Sequence, residues 1–132
     1  MKECQDLGKE IRRYINTESF PIAVKILKDE KEIPGGTRSP LKDLKVKIAH
    51  CQAQSICRKY GWTIAMTKAD LGCAISGYTY GWQTVHPKGA IDFLTRMNYA
   101  ADNTVALKIL QSFKTLEQDQ CKAVVYSPLE RT

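Results

Sequence analysis

The spacing of apolar residues changes period several times along the chain, and each change predicts an element. Leu7, Ile11, Tyr14 and Ile15 recur at helical spacing, which predicts a short amphipathic helix over residues 3–16. Pro21 then opens Ile22-Ala23-Val24-Lys25-Ile26-Leu27, a β-branched run suited to a strand. Pro34, Gly35, Gly36 and Pro40 interrupt any regular pattern, so Glu32 to Pro40 reads as a loop. Leu44, Val46 and Ile48 alternate with Lys45 and Lys47, the period-two signature of a half-buried strand. After His50 the apolar positions become Ala53, Ile56, Cys57 and Tyr60, and Gly61 follows where a helix end favours glycine. The chain therefore passes from strand to helix around His50 and Cys51. The alternative extends the helix back to Val46 and puts Cys51 opposite the apolar stripe.

Trp62 to Thr67 predicts a further short strand, and Thr67, Asp70 and Gly72 a turn. Cys73 to Trp82 carries no clear period, and Val85 to Gly89 reads as a loop. Asp102 suits the N-cap of a helix bearing Val105, Ala106, Ile109, Leu110 and Phe113. Lys122 to Tyr126 predicts a closing strand ended by Pro128. The expectation is an α+β fold: a mixed β-sheet of about four short strands with helices packed on it. Residues 1–132 are expected to form one domain. Gly-Trp recurs at 61–62 and 81–82, but the flanking residues do not match, so no repeat is inferred.

Composition narrows the function classes. Apolar residues make up 43% and charged residues 26%, which suits a folded domain rather than a disordered chain. No apolar run approaches the roughly 20 residues that cross a bilayer, and no hydrophobic segment at the N-terminus resembles an export signal. A cytoplasmic protein without a membrane partner is expected, and its five cysteines are read as reduced thiols. The net charge of +6 is spread along the chain with acids close by, as in Lys28-Asp29-Glu30-Lys31-Glu32. That pattern describes a solvated surface, and no nucleic-acid partner is expected. Gly35-Gly36-Thr37-Arg38 is glycine-rich and basic, and is read either as an anion-holding loop or as a plain turn.

The thiols differ in context. Cys57 lies on the stripe of Ala53, Ile56 and Tyr60, and Cys121 precedes an apolar strand, so both read as small buried hydrophobes. Cys51 falls in the first turn of a helix, where unpaired N–H groups favour thiol chemistry. Cys73 also follows a strand and a turn, with Gly72 beside it allowing a close approach of backbone to a ligand. Two thiols placed just beyond strand ends can converge at one sheet edge. They do not complete a tetrahedral metal site alone, and Cys51-x5-Cys57 lacks the tight spacing of a metal motif. His50, His86 or Asp70, or the same residues of a second subunit, are the candidates to complete it.

Several blocks carry a family resemblance: residues 21–27, Cys51-Gln52-Ala53 with Tyr60-Gly61, Asp70-Leu71-Gly72-Cys73-Ala74 with Gly77 and Gly81, and Ala123 to Leu129. Together they resemble the "uncharacterised ArCR" family, which has no established activity. The resemblance runs from about residue 20 to the end. It implies that the recurring cysteines correspond to Cys51 and Cys73, and that Cys57 lies outside the pattern. It also implies that members are usually longer, so that this chain, which matches the N-terminal half, is either a fragment or a short member.

The preferred reading is a binding protein in which Cys51 and Cys73 hold a metal ion, an iron–sulfur cluster or a small thiol-reactive ligand. His50 is a further metal ligand in that reading, and Asp70 and Gly72 line the site. The alternative is an assembly domain in which the cysteines only pack. A thiol redox enzyme is a third reading, and needs Cys51 and Cys73 within bridging distance. A homodimer or an in-trans partner is expected, with the closing strand from Lys122 to Tyr126 as the contact.

Overall fold

The last strand in the sequence is the middle strand of the sheet. In the computed structural model, which describes residues 2–15, 19, 21–83, 88–117 and 120–131, three strands pair in the order β1-β3-β2. They are β1 (Ile22–Leu27), β2 (Ile64–Thr67) and β3 (Ala123–Pro128). Both pairings are antiparallel, with Val24 opposite Tyr126, Lys25 opposite Val125, and Met66 opposite Val124. All six residues of β3 are buried. This corrects the expected role of the closing strand. Hydrogen-bonded on both sides and covered on both faces, it offers no edge to a second subunit.

The α+β class holds, while the sheet has three strands and is antiparallel rather than mixed. Parallel pairing survives only as two single bridges, Arg38 with Ile64 and Ile48 with Leu71. The missing strand is the alternating segment around Val46. Residues Pro40–Leu44 instead form one wide helical turn, capped by Ser39 Oγ accepting from the Lys42 amide. Lys45 ends it with a left-handed backbone (φ 58°), and the chain reaches extended pairing only at Ile48. Leu44 and Val46 are exposed, so the alternation marked no buried face.

Helix α2 (His50–Tyr60) covers one face of the sheet. Its apolar stripe holds in part: Ala53 and Cys57 are fully buried and pack with Met66, Val124 and Tyr126, Ile56 is half-buried, and Tyr60, expected on the same stripe, is exposed. Gly61 closes the helix in a left-handed conformation (φ 65°), its N–H donating to Cys57 O. The segment without a clear period forms α3 (Ala74–Thr79) and then turns inward at Trp82. There Trp82 Nε1 donates to Cys121 O at 2.7 Å, tying this segment to the start of β3.

Helices α4 (Lys88–Arg96) and α5 (Asn103–Ser112) pair beside α3 over a second apolar cluster of Ala90, Leu94, Ala100, Ala106 and Leu110. Asp102 caps α5 as expected, its carboxylate accepting from the Val105 amide at 2.8 Å. Lys88 and Gly89, expected in a loop, open α4; Val85, His86 and Pro87 lie outside the described residues. Helix α1 (Lys2–Tyr14) packs on the turn that follows β3, where Arg12 Nη1 meets Glu130 at 2.8 Å.

One glycine fixes how closely two loops approach. A Cβ on Gly72 would lie 3.1 Å from Lys47 O and 3.2 Å from Lys47 C. The neighbouring backbone cannot retreat easily, because Gly72 N donates to Ile48 O. A Cβ on Gly35 would meet nothing within 4 Å. Gly72→Ala is therefore expected to destabilise the fold by about 1–3 kcal/mol. Gly35→Ala should leave stability within about 0.5 kcal/mol. Urea unfolding of the two variants checks the contrast, and equal midpoints would remove the tight approach at Gly72.

Candidate functional site

The sequence-predicted residues gather where the chain around Ile48 meets the turn after β2. Ile48 N donates to Asp70 O at 3.0 Å, and Gly72 N donates to Ile48 O at 2.9 Å. This parallel bridge sends both segments onward in the same direction, into α2 and α3. Cys51 stands in the first turn of α2 and is exposed; Cys73 is the N-cap residue of α3 and is half-buried. The start of α2 is held by Gln52 Oε1, which accepts from the Ala49 amide at 2.8 Å. Cys51 lines an open groove of about 430 Å³ whose apolar walls are Leu44, Val46, Ile48 and Ile56. Cys73 is not among the groove's lining residues.

His50 precedes Cys51 by one residue and points elsewhere, since successive helical side chains diverge by about 100°. Its ring is buried among Tyr80, Trp82 and Tyr126, with centroids at 4.4, 5.5 and 5.7 Å. Nδ1 shares a hydrogen bond with Tyr126 Oη at 2.5 Å, and Tyr80 Oη lies 3.4 Å from the same phenol. Nε2 is buried without a hydrogen-bond partner among the described residues. Burial pushes the His50 pKa down to about 4, so the imidazole is neutral at physiological pH. Burial also pushes the Tyr126 phenol upward, and the Tyr80 hydroxyl adds to that shift. The aromatic surround of His50 was not read from the sequence. The second Gly-Trp pair was its one visible trace, because Trp82 closes one side of the ring.

Asp70 is buried and fully engaged by its own chain. One carboxylate oxygen accepts from Ser39 Oγ at 2.8 Å and from the Leu41 amide at 2.9 Å. The other accepts from the Thr67 amide at 3.0 Å and from Thr67 Oγ1 at 2.6 Å. Burial alone would raise its pKa, but these donors outweigh burial and hold the carboxyl below its ordinary range. Asp70 thus ties the segment of Ser39 and Leu41 to the turn after β2, and Gly72 lets that turn touch the Lys47 backbone. The near approach that Gly72 permits is to backbone.

Among the described residues no group of three or more His, Cys, Asp or Glu side chains is arranged to hold a metal ion. His50 turns into the core and Asp70 has four donors, so neither faces the exposed Cys51 thiol. Cys57 and Cys121 are buried as expected, and burial pushes the Cys57 thiol up to about 11. No helix among the described residues is long and apolar enough to cross a membrane.

Comparison with known proteins gives one match. The sequence profile of the family described as Uncharacterised ArCR matches residues 10–132. No curated protein and no solved structure matches the chain.

The buried imidazole makes stability depend on pH in a defined window. Folding lowers the His50 pKa from its ordinary 6.5 to about 4. Between these values the unfolded chain takes up a proton that the folded chain refuses, so stability falls as pH drops from 6.5 towards 4. The full effect is on the order of 3 kcal/mol. Asp70 acts in the opposite sense at lower pH: its contribution is present above about 3.8 and lost below. Urea midpoints from pH 7 to pH 4.5 should fall in the native protein and stay flatter in His50→Phe. A flat native profile would mean that His50 is not held neutral.

Proposed function

The chain belongs to the Uncharacterised ArCR family, a name that carries no activity, and from its residues we propose a ligand-binding protein that works through the thiol of Cys51, with Cys73 beside it. The ligand is a small thiol-reactive molecule with an apolar body. One observation carries this reading: Cys51 is an exposed thiol opening onto an apolar groove, whereas Cys57 and Cys121 are buried. The Ile48–Leu71 bridge supports the role of Cys73, since it starts both helices from the same end of the paired segments. Free thiols suit a reducing compartment such as the cytoplasm. A metal ion or iron–sulfur cluster at Cys51 and Cys73 needs further ligands, and a homodimer or an in-trans partner is the source that this reading requires for them.

An assembly role is the second reading, and a separate observation favours it. Val24 and Ile26 on β1 are exposed on an edge strand, and Leu44 and Val46 are exposed beside the groove. Apolar edges of this kind invite a partner.

Limited treatment of the native, metal-free protein with N-ethylmaleimide, read by mass spectrometry, tests the first reading. Cys51 should label before Cys57 and Cys121. Pre-incubation with cadmium should protect Cys51, and Cys73→Ser should weaken that protection about tenfold if both thiols act together. Equal labelling of Cys51 and Cys57, or protection indifferent to Cys73, would count against a shared thiol site. Light scattering at micromolar concentration separates the second reading. Assembly through the β1 edge gives a dimer that Val24→Lys disrupts, and a monomer that labels at Cys51 leaves only the thiol reading.

A further inference from the structure

The face of the sheet turned away from α2 carries a cleft of about 460 Å³, independent of the thiol groove. Tyr126 reaches His50 on one face, so the alternating residues Val125 and Ser127 point to the other. Register places Lys25 beside Val125 and Ala23 beside Ser127, which makes a floor of small side chains with one cation at its side. Residues 34–37 form the wall, and Arg131, from the turn after β3, stands at the rim.

Three features give this cleft a chemistry. Its lining contains two cations, Lys25 and Arg131, and no carboxylate. Neither cation has an acidic partner within salt-bridge distance among the described residues. One guanidinium nitrogen of Arg131 donates to Gly61 O at 2.6 Å, which fixes the group in place while leaving its other N–H groups to donate. The third feature is Thr37. Its Oγ1 is shielded from solvent and has no hydrogen-bond partner among the described residues. The neighbouring hydroxyls of Thr63 and Ser127 satisfy each other at 2.9 Å, so the unpaired group is specific to Thr37.

The wall is also held in place. Arg38 N donates to Thr63 O and Arg38 O accepts from Ala65 N, both at 2.9 Å, which pins the loop to the edge of β2. The Arg38 guanidinium stacks 3.8 Å from the Trp62 ring centre. Gly36 takes a left-handed backbone (φ 78°), turning the chain tightly above the floor without a side chain in the space. A cleft with apolar floor, fixed walls and a few converging polar groups has the form of a small-molecule site.

The geometry points to a binding site for a small organic anion, its carboxylate or phosphoryl group held by Lys25, Arg131 and the Thr37 hydroxyl, and its apolar body lying over Ala23 and Val125. A planar guanidinium matches either oxyanion, and the Thr37 hydroxyl, which no group among the described residues engages, supplies a further hydrogen bond.

Benzoate, phenyl phosphate, inorganic phosphate and neutral benzamide, titrated into the full chain by calorimetry and amide NMR, test the site. Benzoate or phenyl phosphate should bind, more tightly than inorganic phosphate, and benzamide should not. The comparison of the first two shows which oxyanion the site prefers. Lys25→Gln and Arg131→Gln should each weaken binding about tenfold. Thr37→Val should weaken it too while leaving the thermal midpoint unchanged or higher, because its hydroxyl bonds no group of the protein among the described residues. Lys108→Gln on α5, away from the cleft, should change nothing. Benzamide binding as well as benzoate, no anion binding at millimolar concentration, or affinity unchanged in the three cleft variants would each overturn the assignment.

Discussion

Burial of β3 on both faces and both edges is the constraint on which the rest of the molecule depends. All six of its residues pair with β1 and four of them, Ala123 to Tyr126, with β2, although β1 comes from near the start of the chain and β2 from its middle. The sheet therefore has no centre until the final strand arrives, and long-range pairing of this kind is slow to form. Each face of β3 then commits to a different partner. Val124 and Tyr126 meet α2 and the aromatic group around His50, while Val125 and Ser127 form the floor of the anion cleft. Trp82 holds the start of the strand through Cys121 O, so the α3 segment cannot leave without exposing the strand's entry.

Beside the sheet, a buried carboxylate does the work that a bound ion performs in other loop clusters. Asp70 takes donors from Ser39, Leu41 and Thr67, two of them backbone amides. A charge removed from water is tolerated only with such compensation. The result is a rigid base beneath Ile48, Leu71 and Gly72, from which α2 and α3 begin. Cys51 and Cys73 are positioned by this base, though Asp70 itself does not face them.

What the sequence made legible follows from how local each signal was. The stripe of Ala53, Ile56 and Cys57, the stop at Gly61 and the cap at Asp102 are decided within one or two helical turns, and each appears where expected. The sorting of thiols into exposed Cys51 and buried Cys57 and Cys121 rests on the same local patterns. The alternation at Leu44, Val46 and Ile48 misled because a proline, a capping serine and a left-handed Lys45 set the backbone instead. The central place of β3 was hidden because an apolar run shows burial without showing neighbours. His50 and Asp70 read from the sequence as candidate ligands, and in the fold both are engaged by other residues of the chain. Thr67 is local to Asp70, three residues before it, but the other partners, Tyr80, Tyr126 and Ser39, come together only through tertiary contacts with no fixed spacing in sequence. Lys25 and Arg131 in the cleft are beyond reach for the same reason, whereas Thr37 lies in the basic glycine-rich loop whose composition allows an anion to be held.

The two sides of the sheet end up with opposite chemical characters. On the α2 side the accessible group is a thiol at the mouth of an apolar groove, and the buried polar ring behind it is held neutral. On the other side the accessible groups are fixed cations around a floor of small side chains. The sheet, with its middle strand paired on both sides, lies between them, and neither site shares a lining residue with the other. The cleft still touches the groove's helix, because Arg131 donates to Gly61 O at the end of α2, whose first turns line the groove. The groove is built from α2 and the segment before it, and the cleft from β1, β3 and the loop of residues 34–37, so each takes its chemistry from different elements of the fold.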